Sequence, residues 1–228
     1  MDAITIIPVA GIPEVTAGDD VAALITETEQ GRNLADGDVI VITQKVVSKA
    51  EGRMVPERDR TRAILAESVR VLRRSGEMMI SETRHGLVCA NAGVDSSNVP
   101  VGEVSLLPLD PDASARAIRA RVQHLSGVDV AVVISDTFGR PWRIGQTNIA
   151  IGLAGMMPFN DYRGTQDAQG RDLFATRICV ADEIAGAAEI VMGKAEGICA
   201  AVVRGATIMR GRGSAAQIPR PPRDDLFR

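Results

Sequence analysis

Apolar residues in this chain follow two patterns, short unbroken runs and positions spaced three or four residues apart. The run at residues 128–134 is rich in β-branched side chains, which is typical of a strand buried on both faces. Further strands are predicted at residues 4–9, 39–43, 78–80, 86–92, 174–180 and 198–203. The pattern therefore predicts a sheet with at least one strand in the interior.

Helices are predicted where apolar side chains recur at helical spacing or follow capping residues. The predicted helices follow the caps of residues 16–20 and cover residues 60–74, 111–125 and 181–192. The apolar segment at residues 149–157 fits a helix or a strand, and the helix is favoured. Gly76 suits the position just after the helix at residues 60–74. This mixture predicts an α/β or α+β fold, with mixed β-sheets flanked by helices.

Neither an internal repeat nor a long linker divides the chain. Residues 1–228 are therefore predicted to form a single unit, with room for two subdomains. The segment that begins at Arg210 is rich in proline and arginine, so residues 210–228 are predicted to be a loosely ordered tail.

Composition excludes several classes of function. The net charge is −3 and aromatic residues make up 3%, so neither nucleic acid nor a membrane is an expected partner. No apolar stretch is long enough to span a bilayer, and the N-terminus lacks the basic region of a signal peptide. Cys89, Cys179 and Cys199 are odd in number and far apart, which predicts reduced thiols in a cytoplasmic protein. Two histidines are too few for a histidine-rich zinc site.

Polar chemistry is concentrated directly after the strand predicted at residues 128–134. Asp136 and Thr137 supply oxygens of the kind that magnesium prefers. Arg140 and Arg143 suit phosphate or carboxylate, because a guanidinium makes paired hydrogen bonds to these groups. Since ligands gather beyond the carboxyl ends of parallel strands, this stretch is a candidate metal–phosphate site. The alternative is a turn in which the aspartate caps backbone amides and the arginines are solvated.

Three other loops carry charges that suit the same site. Lys45 and Lys49 share one side of a helix if their segment is helical, and together they can hold a phosphate. Asp95 is a candidate to share a cation with Asp136. Glycines flank the charged loop at residues 193–197, which can cover a nucleotide. The alternatives are solvated lysines, an Asx-turn and a simple chain reversal.

P-loop, dinucleotide-binding and hydrolase nucleophile motifs are absent from the chain. The motifs that are present are Gly11-Ile12-Pro13-Glu14, Gly37-Asp38-Val39, Thr43-Gln44-Lys45-Val46-Val47-Ser48-Lys49, Gly93-Val94-Asp95-Ser96-Ser97-Asn98, Ser135-Asp136-Thr137-Phe138-Gly139-Arg140, Gly145-Gln146-Thr147, Ala181-Asp182-Glu183 and Val202-Val203-Arg204-Gly205. In this order, and over nearly the whole chain, they resemble the coenzyme F420-0:L-glutamate ligases, the γ-glutamyl ligases of deazaflavin coenzyme biosynthesis. The resemblance implies a family-specific fold and an intertwined homodimer.

The resemblance also implies an activity and its ligands. It implies a GTP-dependent ligase that adds L-glutamate to the terminal carboxylate of the deazaflavin precursor, and then further glutamate through γ-linkages. Magnesium or manganese is the implied ion, and potassium is a further candidate. The implied contacts to GTP are Ile12, Pro13, Glu14, Val15, Gln44, Lys49 and Asn98, with Gly193 and Lys194 nearby. The implied metal ligands are Asp95, Asp136 and Thr137. Gln44 departs from the serine found in some relatives.

The expected mechanism is phosphorylation of the precursor carboxylate by GTP, followed by attack of the glutamate amine on the acyl phosphate. Asp136, Lys49 and Arg140 are the expected catalytic residues. The alternatives are a phosphotransferase or phosphatase that uses the same cation site, and a non-catalytic regulator that binds metal and nucleotide. All of these hypotheses require the carboxylates of Asp95 and Asp136 to lie close together in the fold.

Overall fold

The computed structural model describes residues 3–226 and confirms a mixed α/β fold. Within these residues there are twelve strands: β1 (Thr5–Pro8), β2 (Val39–Thr43), β3 (Met54–Pro56), β4 (Ser68–Ser75), β5 (Met78–Thr83), β6 (Val88–Ala90), β7 (Glu103–Ser105), β8 (Ala131–Arg140), β9 (Arg143–Ala154), β10 (Asn160–Asp161), β11 (Arg177–Ile178) and β12 (Ala200–Arg204). The same residues form six α-helices: α1 (Val21–Thr26), α2 (Glu29–Arg32), α3 (Gln44–Ala50), α4 (Arg60–Glu67), α5 (Pro111–Ser126) and α6 (Val180–Met192). The predictions for residues 1–228 and 210–228 also cover Met1, Asp2, Phe227 and Arg228, which lie outside the described residues.

Five strands form the main sheet, in the order β1-β12-β2-β8-β9. Only the central pair, β2 and β8, is parallel, and the other neighbours are antiparallel. The side chains of Val39 and Val41 point into the core beneath α6, whereas Ile40 and Ile42 point into the core beneath α1 and α5. Both faces of the central strands are therefore buried, which is why their sequences are apolar runs without alternation.

Helix α5 shows how local sequence fixes the elements around the sheet. The Asp110 carboxylate accepts a hydrogen bond from the Ala113 amide at 2.9 Å, and Pro111 occupies the first turn. The helix ends at Gly127, whose φ of 74° is a left-handed value that glycine adopts without strain. The predictions of helices at residues 111–125 and 181–192 are confirmed.

A second layer lies beside the main sheet. Strands β4, β5 and β6 form an antiparallel sheet, called the small sheet below, and β3 pairs with β7. Their core is small: the buried apolar side chains are Ile64, Met79, Val94, Val104 and Leu106. Five buried side chains provide much less apolar burial than the two clusters of the main sheet.

The prediction of one helix over residues 60–74 is wrong beyond Glu67. Helix α4 ends there, and the chain continues as β4, which pairs with β5. Val69 and Val71 alternate with arginines, as β-branched residues in a half-exposed strand do. Gly76 lies in the turn between β4 and β5 with a φ of 59°, so it ends a strand and not a helix.

The prediction of a helix at residues 149–157 is also wrong, because most of this segment belongs to β9. Ile151 packs into one core of the main sheet and Leu153 into the other. A strand buried on both faces has no polar alternation, so its periodicity does not distinguish it from a buried helix. Strand β8 is likewise longer than predicted, so Asp136 and Thr137 lie within the strand and not in a turn after it.

Two further segments differ from their predictions. Only Arg177–Ile178 of the strand predicted at residues 174–180 forms a strand, and Val180 already begins α6. Inside the predicted tail, Ala215 is buried and its amide donates to the Asp112 carboxylate at 2.8 Å. This part of the tail is thus held against α5.

Two further observations concern membrane-spanning helices and the cysteines. In residues 3–226, no helix combines the length and the apolarity that crossing a membrane requires. All three cysteines are free thiols, and burial raises the pKa of both Cys89 and Cys179 to about 12. Thiols with such pKa values are poor nucleophiles at neutral pH.

Candidate active site

A cleft of about 1240 Å³ lies between the main sheet and the small sheet. Its walls come from α3, β8, the loop after β6, the loop after α6 and the segment after β1. The predicted site residues that line it are Ile12, Pro13, Glu14, Val15, Gln44, Lys49, Asp95, Asn98, Asp136, Thr137, Gly193 and Lys194. Side chains that are far apart in sequence therefore meet in one place.

Arg140 does not line this cleft. Its guanidinium lies near the tip of the β8–β9 hairpin, where Nη2 donates to the Ile144 carbonyl at 3.0 Å. Arg143 begins β9 on the same exposed hairpin. The two arginines that the sequence placed beside Asp136 are thus carried away from it by the extension of β8.

Asp136 is the most perturbed carboxylate of the cleft. Burial, with a smaller contribution from the nearby charge of Asp95, raises its pKa to about 7. A backbone hydrogen bond at Thr137 and the charges of Lys45 and Lys194 act in the opposite direction. Both carboxylates line the same cleft, and the charge of Asp95 acts on Asp136.

Asp95 has the opposite balance. Burial pushes its pKa up, but hydrogen bonds from Lys45 and Ser97 outweigh this effect and leave the pKa below its ordinary value. Lys45 Nζ lies 2.6 Å from Asp95 Oδ2, and the Ser97 hydroxyl donates to the same oxygen at 2.8 Å. The loop can turn here because Gly93 has a φ of 75°, and a Cβ at that position would lie 2.6 Å from Leu107 Cγ.

Helix α3 presents its two lysines to the cleft, so the helical interpretation of this segment is confirmed. Lys49 forms an ion pair with Glu14, and Lys45 forms the pair with Asp95. Ser48, which lies between them, is fully buried, and its hydroxyl oxygen lies 2.8 Å from Gln44 Oε1 and 2.6 Å from the Leu106 carbonyl oxygen. Ser48 therefore holds α3 and Gln44 in place without facing a ligand.

Thr137, Asn148, Glu189 and Lys194 form a closed ring of hydrogen bonds at the edge of the cleft. Glu189 accepts from Asn148 Nδ2 at 2.8 Å, and Asn148 Oδ1 accepts from the Thr137 hydroxyl at 2.7 Å. Lys194 Nζ closes the ring, 2.7 Å from Thr137 Oγ1 and 2.7 Å from Glu189 Oε1.

The ring fixes the direction of the Thr137 hydroxyl. An ionised carboxylate only accepts, so Glu189 orients the Asn148 amide with its NH₂ toward α6 and its oxygen toward Thr137. The Thr137 proton then points at Asn148, and its lone pairs face Lys194 and the cleft. Asn148 and Glu189 were not among the predicted site residues, since nothing in the sequence indicates that β9 and α6 meet behind Thr137.

Three cleft-lining side chains have a buried polar atom without a hydrogen-bond partner: Gln44 at Nε2, Arg60 at Nε and Ser135 at Oγ. Unpaired buried groups are costly, and in native structures they often mark a ligand site. Arg60 and Ser135 were likewise missed by the sequence predictions. Ser135 lay within a quoted motif, but no signal in the sequence places Arg60 at this cleft.

The oxygens of the cleft fit a divalent ion that shares its coordination with a ligand. Within residues 3–226, no three Asp, Glu, His or Cys side chains are close enough to form a metal cage alone. Magnesium is usually held by one or two carboxylates together with substrate phosphates. Asp95, Asp136 and the Thr137 hydroxyl supply such a set, with the buried Ser135 hydroxyl beside it.

Comparison with known proteins agrees with the motifs. Residues 11–205 match the model of the family described as F420-0:gamma-glutamyl ligase. The chain is 45% identical to the coenzyme F420:L-glutamate ligase of Methanothermobacter thermautotrophicus over 99% of both chains. It is 43% identical to the Methanopyrus kandleri enzyme of that name over 94% of both chains, and 39% identical to the Methanocaldococcus jannaschii enzyme over 86% of both. With a family match over most of its length and such relatives along nearly all of it, the chain belongs to the F420-0:gamma-glutamyl ligase family.

Proposed function

We propose that this protein joins L-glutamate to the terminal carboxylate of coenzyme F420-0 and then adds further glutamate through γ-linkages, with GTP as the phosphate donor. Membership of the family and the names of its relatives support the ligase activity. The observation that carries the proposal is the cleft, which gathers twelve of the thirteen predicted site residues.

The size and charge of the cleft suit more than one ligand. Its volume of about 1240 Å³ exceeds the roughly 300–1,000 Å³ of a typical small-molecule site. Lysines on α3 and in the loop after α6 suit the phosphates of a nucleotide. Their ion pairs with Asp95, Glu14 and Glu189 keep these ammonium groups near the cleft until phosphate competes for them.

The proposed reaction has two steps. An oxygen of the acceptor carboxylate attacks the γ-phosphorus of GTP, the bond to the GDP oxygen breaks, and an acyl phosphate forms. The glutamate nitrogen then attacks the acyl carbon, phosphate leaves with the bonding electrons, and the nitrogen loses a proton. Magnesium or manganese would neutralise the phosphate oxygens, with potassium as a further candidate ion.

The protein's part in these steps is positioning and charge compensation. Asp95, Asp136 and Thr137 would hold the divalent ions, and the ring behind Thr137 keeps its lone pairs toward them. Lys49 would offset phosphate charge after leaving Glu14. Arg140 could act only if the β8–β9 hairpin or a second copy of the chain brought it to a cleft.

A homodimer is part of the proposal. The β8–β9 hairpin extends past the main sheet and exposes two large apolar side chains, 81% of Trp142 and all of Ile144. Large apolar side chains grouped on a surface mark interaction sites in many proteins. A second copy of this chain, as the resemblance implies, would cover them.

The proposal is tested by incubating the protein with coenzyme F420-0, L-glutamate, GTP and magnesium and measuring the product by mass spectrometry. A gain of one glutamate residue, and then of further residues, is the expected result, with GDP and phosphate released in equal amounts. Reactions that lack one component, or that contain ATP in place of GTP, serve as controls. GTP hydrolysis without added mass would favour a phosphatase, and nucleotide binding without turnover would favour a regulator.

A further inference from the structure

Arg60 differs from every other cationic side chain that lines the cleft. Among the described residues, four cations line it, and three of them pair with a carboxylate of the protein: Lys45, Lys49 and Lys194. Within residues 3–226, the Arg60 side chain forms no ion pair, and its Nε atom is buried without a hydrogen-bond partner. An arginine held in this way is costly unless a ligand supplies the missing acceptor.

The position of Arg60 separates it from the lysines. It is the first residue of α4, which belongs to the layer of the small sheet and packs against the turn at residues 91–93. The lysines belong to α3 and to the loop after α6, next to β2 and β8 of the main sheet. The next residue but one on α4, Arg62, is exposed and does not line the cleft. Only one of these two arginines therefore lines the cleft.

The chemistry of the proposed reaction indicates what this ligand is. When the amine of glutamate forms the amide, both carboxylates of that glutamate stay ionised and enter the cleft as negative charges. Planar carboxylates match the guanidinium fork, which makes two parallel hydrogen bonds to them. The lysines are suited to the spherical charge of phosphates, and the carboxylates of Asp95 and Asp136 repel another acid.

We propose that Arg60 binds a carboxylate of the incoming L-glutamate and thereby selects an acidic amino acid as the amine substrate. This inference rests on the proposed ligase function. It assigns the small-sheet side of the cleft to glutamate and leaves the main-sheet side to the nucleotide.

The first test compares Arg60→Gln and Arg60→Lys with the parent, and uses Arg62→Gln as the matched control from the same helix. KM is measured separately for glutamate, coenzyme F420-0 and GTP. We expect Arg60→Gln to raise the KM for glutamate about ten- to a hundredfold, the range for a lost charged hydrogen bond. The KM of Arg60→Lys for glutamate should lie between those of the parent and Arg60→Gln, because lysine keeps the charge but lacks the planar guanidinium. Arg62→Gln should have the KM of the parent.

A second test identifies the carboxylate by changing the substrate. L-Glutamine lacks the side-chain carboxylate, and L-isoglutamine lacks the α-carboxylate. The parent should use both amides less well than glutamate. In Arg60→Gln, the preference for glutamate should disappear over the one amide that lacks the carboxylate bound by Arg60. The variant no longer distinguishes that carboxylate from its amide.

The outcomes separate this inference from the function on which it rests. A parent enzyme that forms no glutamylated product refutes the ligase function. An active parent whose Arg60 variants keep the glutamate KM refutes the role of Arg60. A rise in KM for coenzyme F420-0 or GTP alone would assign Arg60 to that ligand and overturn the inference. If Arg60→Gln does not fold, the lysine variant and the two amide substrates give the same comparison.

Discussion

The two walls of the cleft carry the same chemical group in opposite electrostatic states. On the main-sheet wall, Asp136 lies in a strand between two buried cores, and burial raises its pKa to about 7. On the opposite wall, Asp95 lies in a loop, where Lys45 and Ser97 keep its pKa below the ordinary value despite burial. For Asp136 the cost of burial outweighs its favourable contacts, whereas for Asp95 the ion pair with Lys45 and the hydrogen bonds from Ser97 outweigh that cost.

Because of this difference, the two carboxylates have opposite effects on the stability of the ligand-free fold. The Asp95 carboxylate contributes favourable contacts to the ligand-free fold, whereas ionised Asp136 opposes folding because its charge is buried. A protein gains nothing for its own stability by keeping such a charge. Asp136 is therefore better explained by a ligand that needs it than by the fold.

Asp136→Asn should have the largest effect on activity and an effect of opposite sign on stability. We expect kcat/KM to fall at least about a hundredfold, or roughly 3 kcal/mol, because an electrostatic contact to the reacting phosphate is lost. The free energy of unfolding at pH 8 should rise by an amount on the order of 1 kcal/mol, because a buried charge is removed. Ligation assays and chemical denaturation measure the two quantities.

The size of the stability effect depends on pH. The pKa of Asp136 is raised to about 7 in the folded protein, so the cost of its charge is present above that pH and is relieved as pH falls below it. The advantage of Asp136→Asn should thus shrink between pH 8 and pH 5, while the exposed Asp224→Asn should show neither effect. Normal activity in Asp136→Asn would exclude the metal role.

The two sheets also differ in how well the sequence predicted them. The strands at residues 39–43 and 198–203 were found because apolar runs between turn residues leave few alternatives. In the small sheet, Ile64, Val69 and Leu72 happened to fit helical spacing, so α4 and β4 were merged into one helix. A small core imposes a weak pattern, and strand pairing with β5 decided the structure there.

The site residues that could be predicted from the sequence are those that stand in recognisable motifs. Asp95, Asp136 and the lysines stood in motifs, and the fold brings them into one cleft. Arg60 and Glu189 were missed because their roles arise only from tertiary packing, α4 beside the cleft and α6 behind β9. Arg140 was predicted from its closeness to Asp136 in sequence, but four residues along an extended strand carry it roughly 13 Å away.

Asp95→Asn should have a smaller effect on activity and should reduce stability. We expect kcat/KM to fall about tenfold to a hundredfold, because one of two carboxylates for the divalent ion is lost. Stability should decrease by less than about 1 kcal/mol, since the ion pair with Lys45 is partly exposed. Its pKa lies below the ordinary value, so this contribution is present at neutral pH and is lost as pH falls into the acid range.

Measuring both variants tests whether the two walls differ electrostatically. Asp95→Asn and Asp136→Asn remove the same charge and should change the free energy of unfolding in opposite directions. Equal shifts in both would mean that the electrostatic difference between the walls is absent in solution. Measuring the magnesium dependence of each variant adds a second readout, because a lost metal ligand raises the ion concentration needed for half-maximal activity.

Glu189→Gln tests whether the ring behind Thr137 matters for the reaction, and its expected effect is the smallest. Glutamine can donate as well as accept, so the Asn148 amide is no longer forced to face Thr137 with its oxygen. Lys194 also loses its ionic partner.

We expect activity to fall about tenfold and the requirement for magnesium to rise, as for other residues that orient a metal ligand. Steady-state rates over a magnesium titration check this, and the exposed Glu27→Gln, outside the cleft, should behave as the parent. A tenfold loss that magnesium does not alter would show that Glu189 acts through Lys194 on the nucleotide and not through the Thr137 hydroxyl.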